Sequence, residues 1–155
     1  MKLAIVALGH RMPAWVAAGY ADYAGRLPRD WPLDLVELKP EARDRGRTVP
    51  QLLAAESRRL DAACADATVV ALDEAGSPWS TREFAERLER WRESVSALTF
   101  VIGSADGLDP GFKRRAAARF SLSPLTLPHA LVRVVLAEQI YRAASLIAGH
   151  PYHRD

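Results

Sequence analysis

Along the chain, short apolar runs of strand length alternate with longer stretches whose apolar residues recur at helical spacing. Leu3 to Leu8 is the first such run, closed by Gly9, and Pro13 then opens a helical pattern carrying Trp15, Tyr20, Tyr23 and Leu27. Leu33 to Leu38 alternates in the manner of a strand, and the polar stretch through Arg47 reads as a loop. A helix is expected from Thr48. Thr48 and Gln51 have the spacing of a capping box, Pro50 falls in the tolerant first turn, and Leu53 and Leu60 share a face.

Thr68 to Leu72 is nearly all apolar, as strands covered on both faces of a parallel sheet tend to be, and Asp73 to Pro78 is expected to be a turn. Ser80 and Glu83 form a second capping box. Beyond it Phe84, Leu88 and Trp91 keep one helical face, while Glu83 with Arg87 and Glu86 with Arg90 are spaced to pair on the other. Leu98 to Ile102 predicts a buried strand, Gly103 to Gly107 a flexible loop, and Asp109-Pro110 the start of a short helix through Ala117. Arg119 to Leu122 leaves room for one more strand, followed by the proline-punctuated loop Ser123 to Pro128. The longest helix is expected from His129 to Ala148, stopped by Gly149 and Pro151. Strands alternating with helices predict an α/β fold with a mainly parallel sheet, and residues 1–155 read as one domain without repeat, low-complexity segment or linker.

Composition narrows the class. With 155 residues, 49% of them hydrophobic and 26% charged, the chain has the material for one well-formed core. The apolar start, Met1 to Leu8, is cut off by Gly9, His10 and Arg11 too early for a signal-peptide core or a membrane span, so a cytoplasmic location is expected. Cys64 is the single cysteine, which removes an internal disulfide and any cysteine-based metal cluster within one chain. The net charge of +2 is small but uneven. From Pro110 to Asp155 seven basic residues face two acidic ones, and a second basic cluster, Lys39, Arg43, Arg45 and Arg47, lies in the loop before Thr48. Phosphate contact and an ordinary solvated surface explain such short runs equally well.

Open parallel sheets bind ligands just beyond the carboxyl ends of their strands. Three loops qualify: those following Leu72, Ile102 and Leu122. Glycines in the first two permit close backbone approach, and the third offers free backbone groups beside Leu125 and Leu127, a mixture suited to an adenosine. Glycine-rich turns after strands are also routine structural features. Neither the dinucleotide fingerprint nor a P-loop is present.

Taken together, Ile102-Gly103 with Asp106-Gly107-Leu108, the run Leu122-Ser123-Pro124-Leu125-Thr126-Leu127-Pro128-His129, then Leu131-Val132-Arg133-Val134 and the ending His150-Pro151-Tyr152-His153-Arg154 are similar to the ribosomal RNA large-subunit methyltransferase H family. The resemblance runs from Met1-Lys2-Leu3 through Met12-Pro13 and Trp15 to the last residue. It implies a SPOUT fold in which the carboxyl-terminal part threads a trefoil knot, and S-adenosylmethionine held at Leu72, Gly103, Leu122, Ser123, Pro124, Leu125, Thr126 and Leu127, with no metal. It implies a homodimer whose partner tail completes each site, and a pseudouridine of 23S ribosomal RNA methylated at N3. The chain departs from the family pattern at Ser104, Ala105, Asp106 and Asp155, where a second glycine, proline, glutamate and glutamate are usual.

Methyl transfer to a pyrimidine N3 requires alignment of the reactants and loss of the imide proton. His129 and His153 are the residue type for proton removal, although His129 beside Pro128 equally suits a structural role at a helix start. Arg133, one turn on, is expected to hold phosphate or steady charge on the base oxygens, with a dimer salt bridge as the other reading. Tyr152, His153 and Arg154 provide stacking, hydrogen bonding and phosphate contact for an RNA base. His150 and His153 do not make a metal pair, because Pro151 lies between them and further ligands are lacking. A catalytically silent RNA-binding module and a different nucleotide-dependent α/β enzyme are the competing classes.

Overall fold

The computed structural model describes residues 1–43 and 46–153, His153 through its backbone alone. Five strands and five helices alternate: β1 (Lys2–Leu8), α1 (Ala14–Arg26), β2 (Leu33–Leu38), α2 (Val49–Ala63), β3 (Thr68–Pro78), α3 (Thr81–Ser94), β4 (Ala97–Ile102), α4 (Pro110–Arg115), β5 (Ala118–Ser121) and α5 (His129–Ile147). A short 3-10 turn, Pro151–His153, follows α5. The strands form one sheet in the order β2-β1-β4-β3-β5, every neighbouring pair parallel.

Side chains alternate across the sheet because successive strand residues point to opposite faces. Leu3, Ile5 and Ala7 of β1 enter the larger core, built with Phe84 and Leu88 of α3 and with Leu136 and Ile140 of α5. Val6 and Leu8 point the other way, toward Leu60 and Cys64 of α2 and Phe112 of α4. On the larger face Trp79 stacks on Phe120 with ring centroids 4.3 Å apart, and Phe84 meets Phe120 at 5.2 Å and Phe100 at 5.7 Å. This aromatic group ties α3 to β4 and β5 directly beneath the carboxyl edge of the sheet.

Local signals set the helix starts. Thr48 and Ser80 accept from the backbone N–H groups of Gln51 and Glu83, whose side chains reach back to the cap residues, so both capping boxes form. The exposed-face pairing expected on α3 takes a different form. Glu83 receives the Ser80 N–H at 2.7 Å, while Arg87 lays its guanidinium over Trp79, 4.4 Å from the ring centroid.

The segment Asp73–Pro78, expected to be a turn, instead belongs to β3. Phe120 is paired with both Leu72 and Ser77, so the residues between them bulge out before the ladder resumes at Pro78 opposite Ser121. Gly76 makes this possible. A Cβ there would come within 2.8 Å of the Arg119 carbonyl carbon and oxygen, closer than any side chain tolerates.

α5 is covered along its length, with none of its residues fully exposed and Arg133, Leu136, Ala137, Ile140, Ala143, Ala144 and Ser145 buried. α1 packs against it closely enough that a Cβ on Gly19 would lie 3.1 Å from Val134.

Phe84, 1% exposed at the hub of the aromatic group, is expected to anchor the fold. Phe84→Ala should lower unfolding free energy by about 3–5 kcal/mol, read from the urea midpoint at unchanged m-value.

Candidate functional site

At the carboxyl ends of β3, β4 and β5 lies an open cavity of about 570 Å³. Its wall includes Leu72 and Asp73 from β3, Gly103 to Leu108 after β4, Leu122, Ser123, Leu125, Thr126 and Leu127 after β5, and Lys113 from α4. Pro128, His129 and Val132 close it from the start of α5. Seven of the eight residues expected to hold a cofactor therefore share one cavity, and Pro124 lies in the same loop, turned out to solvent.

The loop after β4 is a tight turn. The Gly107 N–H donates to the Ser104 carbonyl at 2.9 Å and Gly107 adopts φ +80°. A Cβ on Gly103 would stand 2.6 Å from the Gly107 carbonyl carbon and oxygen, so glycine is demanded there by the turn itself. After β5, the Ser123 hydroxyl accepts the Leu125 N–H at 2.9 Å, and Leu125 projects 71% exposed at the cavity mouth, a large apolar side chain left over for something to cover.

Asp73 stands at the β3 corner. Its Oδ1 accepts the Ala75 N–H at 3.2 Å; its Oδ2 is buried, with Lys113 Nζ at 3.5 Å and Arg119 Nη1 at 3.7 Å but no hydrogen-bond donor. The two cations balance its charge and leave an acceptor unmet at the wall.

Ser104 and Asp106 are bound into a network behind the cavity. Glu56, 1% exposed within α2, accepts from the Glu41 N–H at 2.9 Å, from Arg43 Nη1 at 2.9 Å and Nη2 at 3.2 Å, and from the Ser104 hydroxyl at 2.9 Å. Arg43 also donates to Ser104 Oγ at 2.8 Å and to Asp106 Oδ2 at 3.2 Å. Burial by itself pushes the Glu56 carboxyl up, but the bonds from Arg43, Glu41 and Ser104 outweigh it and hold the group below its ordinary value of 4.5. The surrounding basic cluster is engaged in the same way: Arg47 donates to Glu41 at 2.6 Å and Arg59 pairs with Glu41 at 3.1 Å. Arg43 and Arg47 are thus paired within the chain, an engagement that neither reading of that loop anticipated, while Arg45 lies outside the described residues.

His129 takes the place the sequence suggested, in the first turn of α5 on the cavity wall. Arg133 does not. It is 1% exposed, outside the residues that line the cavity, and its guanidinium donates to Glu37 at 2.5 Å and to the Gly9 carbonyl at 2.6 Å. The expected contact with RNA phosphate is thus replaced, in the single chain, by a clamp that joins α5 to the ends of β1 and β2. One helical turn does place Arg133 near His129, but its guanidinium is engaged by Glu37 and the Gly9 carbonyl at the ends of β2 and β1.

The tail folds back on the far part of α5. Tyr152 donates to Glu138 at 3.1 Å, packs on Tyr141 with centroids 4.5 Å apart and lies under Arg142. Burial, then the neighbouring Glu138 carboxylate, pushes its phenol up to about 12. Nine residues separate His129 from Glu138, about 13 Å along a helix, so within one chain Tyr152 stays clear of the cavity. The side chain of His153 and all of Arg154 lie outside the described residues. Among the described residues no three His, Cys, Asp or Glu side chains gather as a metal-ligand set, and no helix is long and apolar enough to cross a membrane.

The site thus combines a parallel sheet, a ligand-sized cavity at three strand ends and the start of a long helix on its wall. The family model described as predicted SPOUT methyltransferase matches residues 1–153. The chain belongs to that family. It is 50% identical over 155 residues to a protein of Nitrosospira multiformis, and 51% identical to one of Burkholderia thailandensis, 99% of both chains being covered in each case. Both relatives carry the name ribosomal RNA large subunit methyltransferase H. A probable methylase family protein from Haemophilus influenzae superposes with a TM-score of 0.62 at 12% identity, covering 99% of this chain and 70% of that one, a likeness of fold.

Two consequences are measurable. Because the Glu56 carboxyl is depressed in the folded state, its stabilisation is fully present above about pH 4.5 and is lost as pH falls through the lower folded value. Glu56→Gln should therefore flatten the acid limb of a stability-versus-pH curve and cost about 2 kcal/mol at neutral pH, as buried donors lose their acceptor. Arg133→Met should lower stability by about 2 kcal/mol, since the Gly9 carbonyl loses its donor. For a chain of this size that is a fall in Tm of roughly 4–8 °C by calorimetry.

Proposed function

We propose that this chain is an S-adenosylmethionine-dependent methyltransferase of large-subunit ribosomal RNA, acting at N3 of a pseudouridine. The observation that carries the reading is the meeting of Leu72, Gly103, Leu122, Ser123, Leu125, Thr126 and Leu127 in one cavity of a SPOUT methyltransferase chain. The name borne by relatives half identical over their full length supplies the RNA.

The cavity suits the cofactor. Its volume falls within the roughly 300–1,000 Å³ usual for small-molecule sites. Backbone groups of the two loops, leucine side chains for an adenine, and the unmet Asp73 oxygen offer the mixture of polar and apolar contacts that a nucleoside takes. Leu72, Gly103, Leu122, Ser123, Pro124, Leu125, Thr126 and Leu127 would hold it, with Leu125 giving up its exposure. When bound, S-adenosylmethionine supplies a methyl group on a sulfonium, ready for in-line displacement. The protein's part is to align the base with that group, an effect worth up to roughly 7–11 kcal/mol of barrier.

His129 is the one imidazole among the described residues on the cavity wall, and it takes the N3 proton in this reading. Arg133 serves it indirectly, by fixing the start of α5 against β1 and β2. Tyr152, His153 and Arg154 of a second copy contact the RNA base and phosphate. Two features support a homodimer: Leu131, Val134 and Val135 stay partly uncovered on a nearly continuous apolar helix, and a chain's own Tyr152 is held away from its own cavity. The loop after β5 and α5 form the trefoil knot in this proposal, which accounts for so exposed a segment holding one shape. The chain is assigned to the cytoplasm, where its ribosomal substrate lies.

Purified protein should bind S-adenosylmethionine in calorimetry, and Gly103→Ala should abolish that binding. Labelled methyl should enter the large-subunit RNA of ribosomes from a strain lacking the modification. Binding without transfer would identify a silent module, and no binding would point to another nucleotide-dependent enzyme.

A further inference from the structure

The loop from Gly103 to Gly107 forms part of the cavity wall, yet little inside the cavity restrains it. Ala105, Asp106 and Gly107 are exposed, and two glycines in five residues make an ordered conformation entropically costly. The side-chain tethers that hold it come from behind: the Ser104 hydroxyl bonded to Glu56, and Arg43 bonded to Ser104 and Asp106. Both converge on Glu56, which lies outside the cavity lining and touches no part of its space.

A buried carboxylate in the middle of α2 calls for an explanation. Its neighbours on that helix, Leu52, Leu53 and Leu60, are buried and apolar, and a wholly apolar cluster in place of Glu56 and its partners together would fill the same space at little cost in stability. What an apolar residue cannot do is select one geometry for a loop. Glu56 accepts four hydrogen bonds from three residues in two segments, so its two oxygens admit few other arrangements of Glu41, Arg43 and Ser104. Two members of that network belong to the loop itself: Ser104 supplies a hydroxyl to Glu56, and Asp106 supplies an acceptor for Arg43.

We propose that Glu56 is a positioning residue for the cofactor loop, acting through Ser104 and through the Arg43–Asp106 pair to hold the Gly103–Gly107 turn in its ligand-ready form. The inference rests on the cofactor reading above for its ligand, though not for its structural claim. Preorganisation lowers the ordering cost of binding, so its loss appears in affinity rather than in turnover at saturation.

The test measures S-adenosylhomocysteine affinity by calorimetry alongside amide hydrogen exchange, for the full chain and for Glu56→Gln, Ser104→Ala and the double variant. Glu56→Gln should weaken binding about tenfold, with kcat at saturating S-adenosylmethionine within twofold of the parent. Amides of residues 104–107 should exchange faster while those of β1 and β4 keep their protection. Ser104→Ala should weaken binding less, and the double variant should be no worse than Glu56→Gln, because the Ser104 hydroxyl holds the loop through the network that Glu56 anchors. Parental affinity in a folded Glu56→Gln protein, additive losses, or unchanged exchange of the loop would each overturn the proposal. Where Glu56→Gln fails to fold, Asp106→Asn takes its place, and unaltered affinity and exchange in that variant and Ser104→Ala would overturn it equally. If the parent binds no S-adenosylhomocysteine, the cofactor reading falls, and the exchange measurement still decides the positioning claim.

Discussion

The structure depends on the parallel pairing of β3 with both β4 and β5. Parallel neighbours cannot be joined by a tight turn, so each crossover carries a helix and every strand delivers its carboxyl end to the same edge. Because β3 lies between β4 and β5, three loops well separated in sequence come to one place. The cavity is a consequence of that order. With a different order the same loops would sit at opposite ends of the sheet edge.

Close backbone approach then gives the edge its shape. Gly76 lies against the Arg119–Phe120 backbone and Gly103 against Gly107, and in neither place is there room for a side chain. These two contacts let the β3 bulge and the β4 turn rise as walls while the aromatic group around Phe84 and Phe120 holds the floor. The candidate site in this chain sits on strand-end loops carried by an apolar base.

The buried charges divide the work of support. Arg133 clamps α5 to the ends of β1 and β2, and Glu56 gathers Glu41, Arg43 and Ser104 behind the cavity. Arg133 and Arg43, a partner of Glu56, were candidates for other tasks in the sequence: an arginine near a histidine suggests a phosphate, and a basic loop suggests RNA. A charge enclosed by protein must be matched by protein, and both groups have found partners in distant segments.

Much of the fold was legible from residue spacing. Two capping boxes, the apolar runs of β1, β3 and β4, and the helix from His129 to its glycine stop are decided by near neighbours, and local physics gives their positions within a residue or two. The three strand-end loops, which share one cavity, were legible as a candidate site for the same reason, since glycines and free backbone groups mark them locally. The extension of β3 through Pro78 was not legible. Glycine and proline in Asp73–Pro78 signal a turn, and only Phe120 on a neighbouring strand makes the segment part of a ladder. Nor was the inward turn of Arg133 or the role of Glu56, whose partners lie 96 and 48 residues away for Glu37 and Ser104 respectively. The sequence by itself determined where helices and strands begin and which loops have the chemistry to meet a ligand. Tertiary structure alone decided which charges face that ligand and which are spent on holding it in place, because a charged side chain goes wherever burial and a partner coincide, and that is a property of the packed molecule.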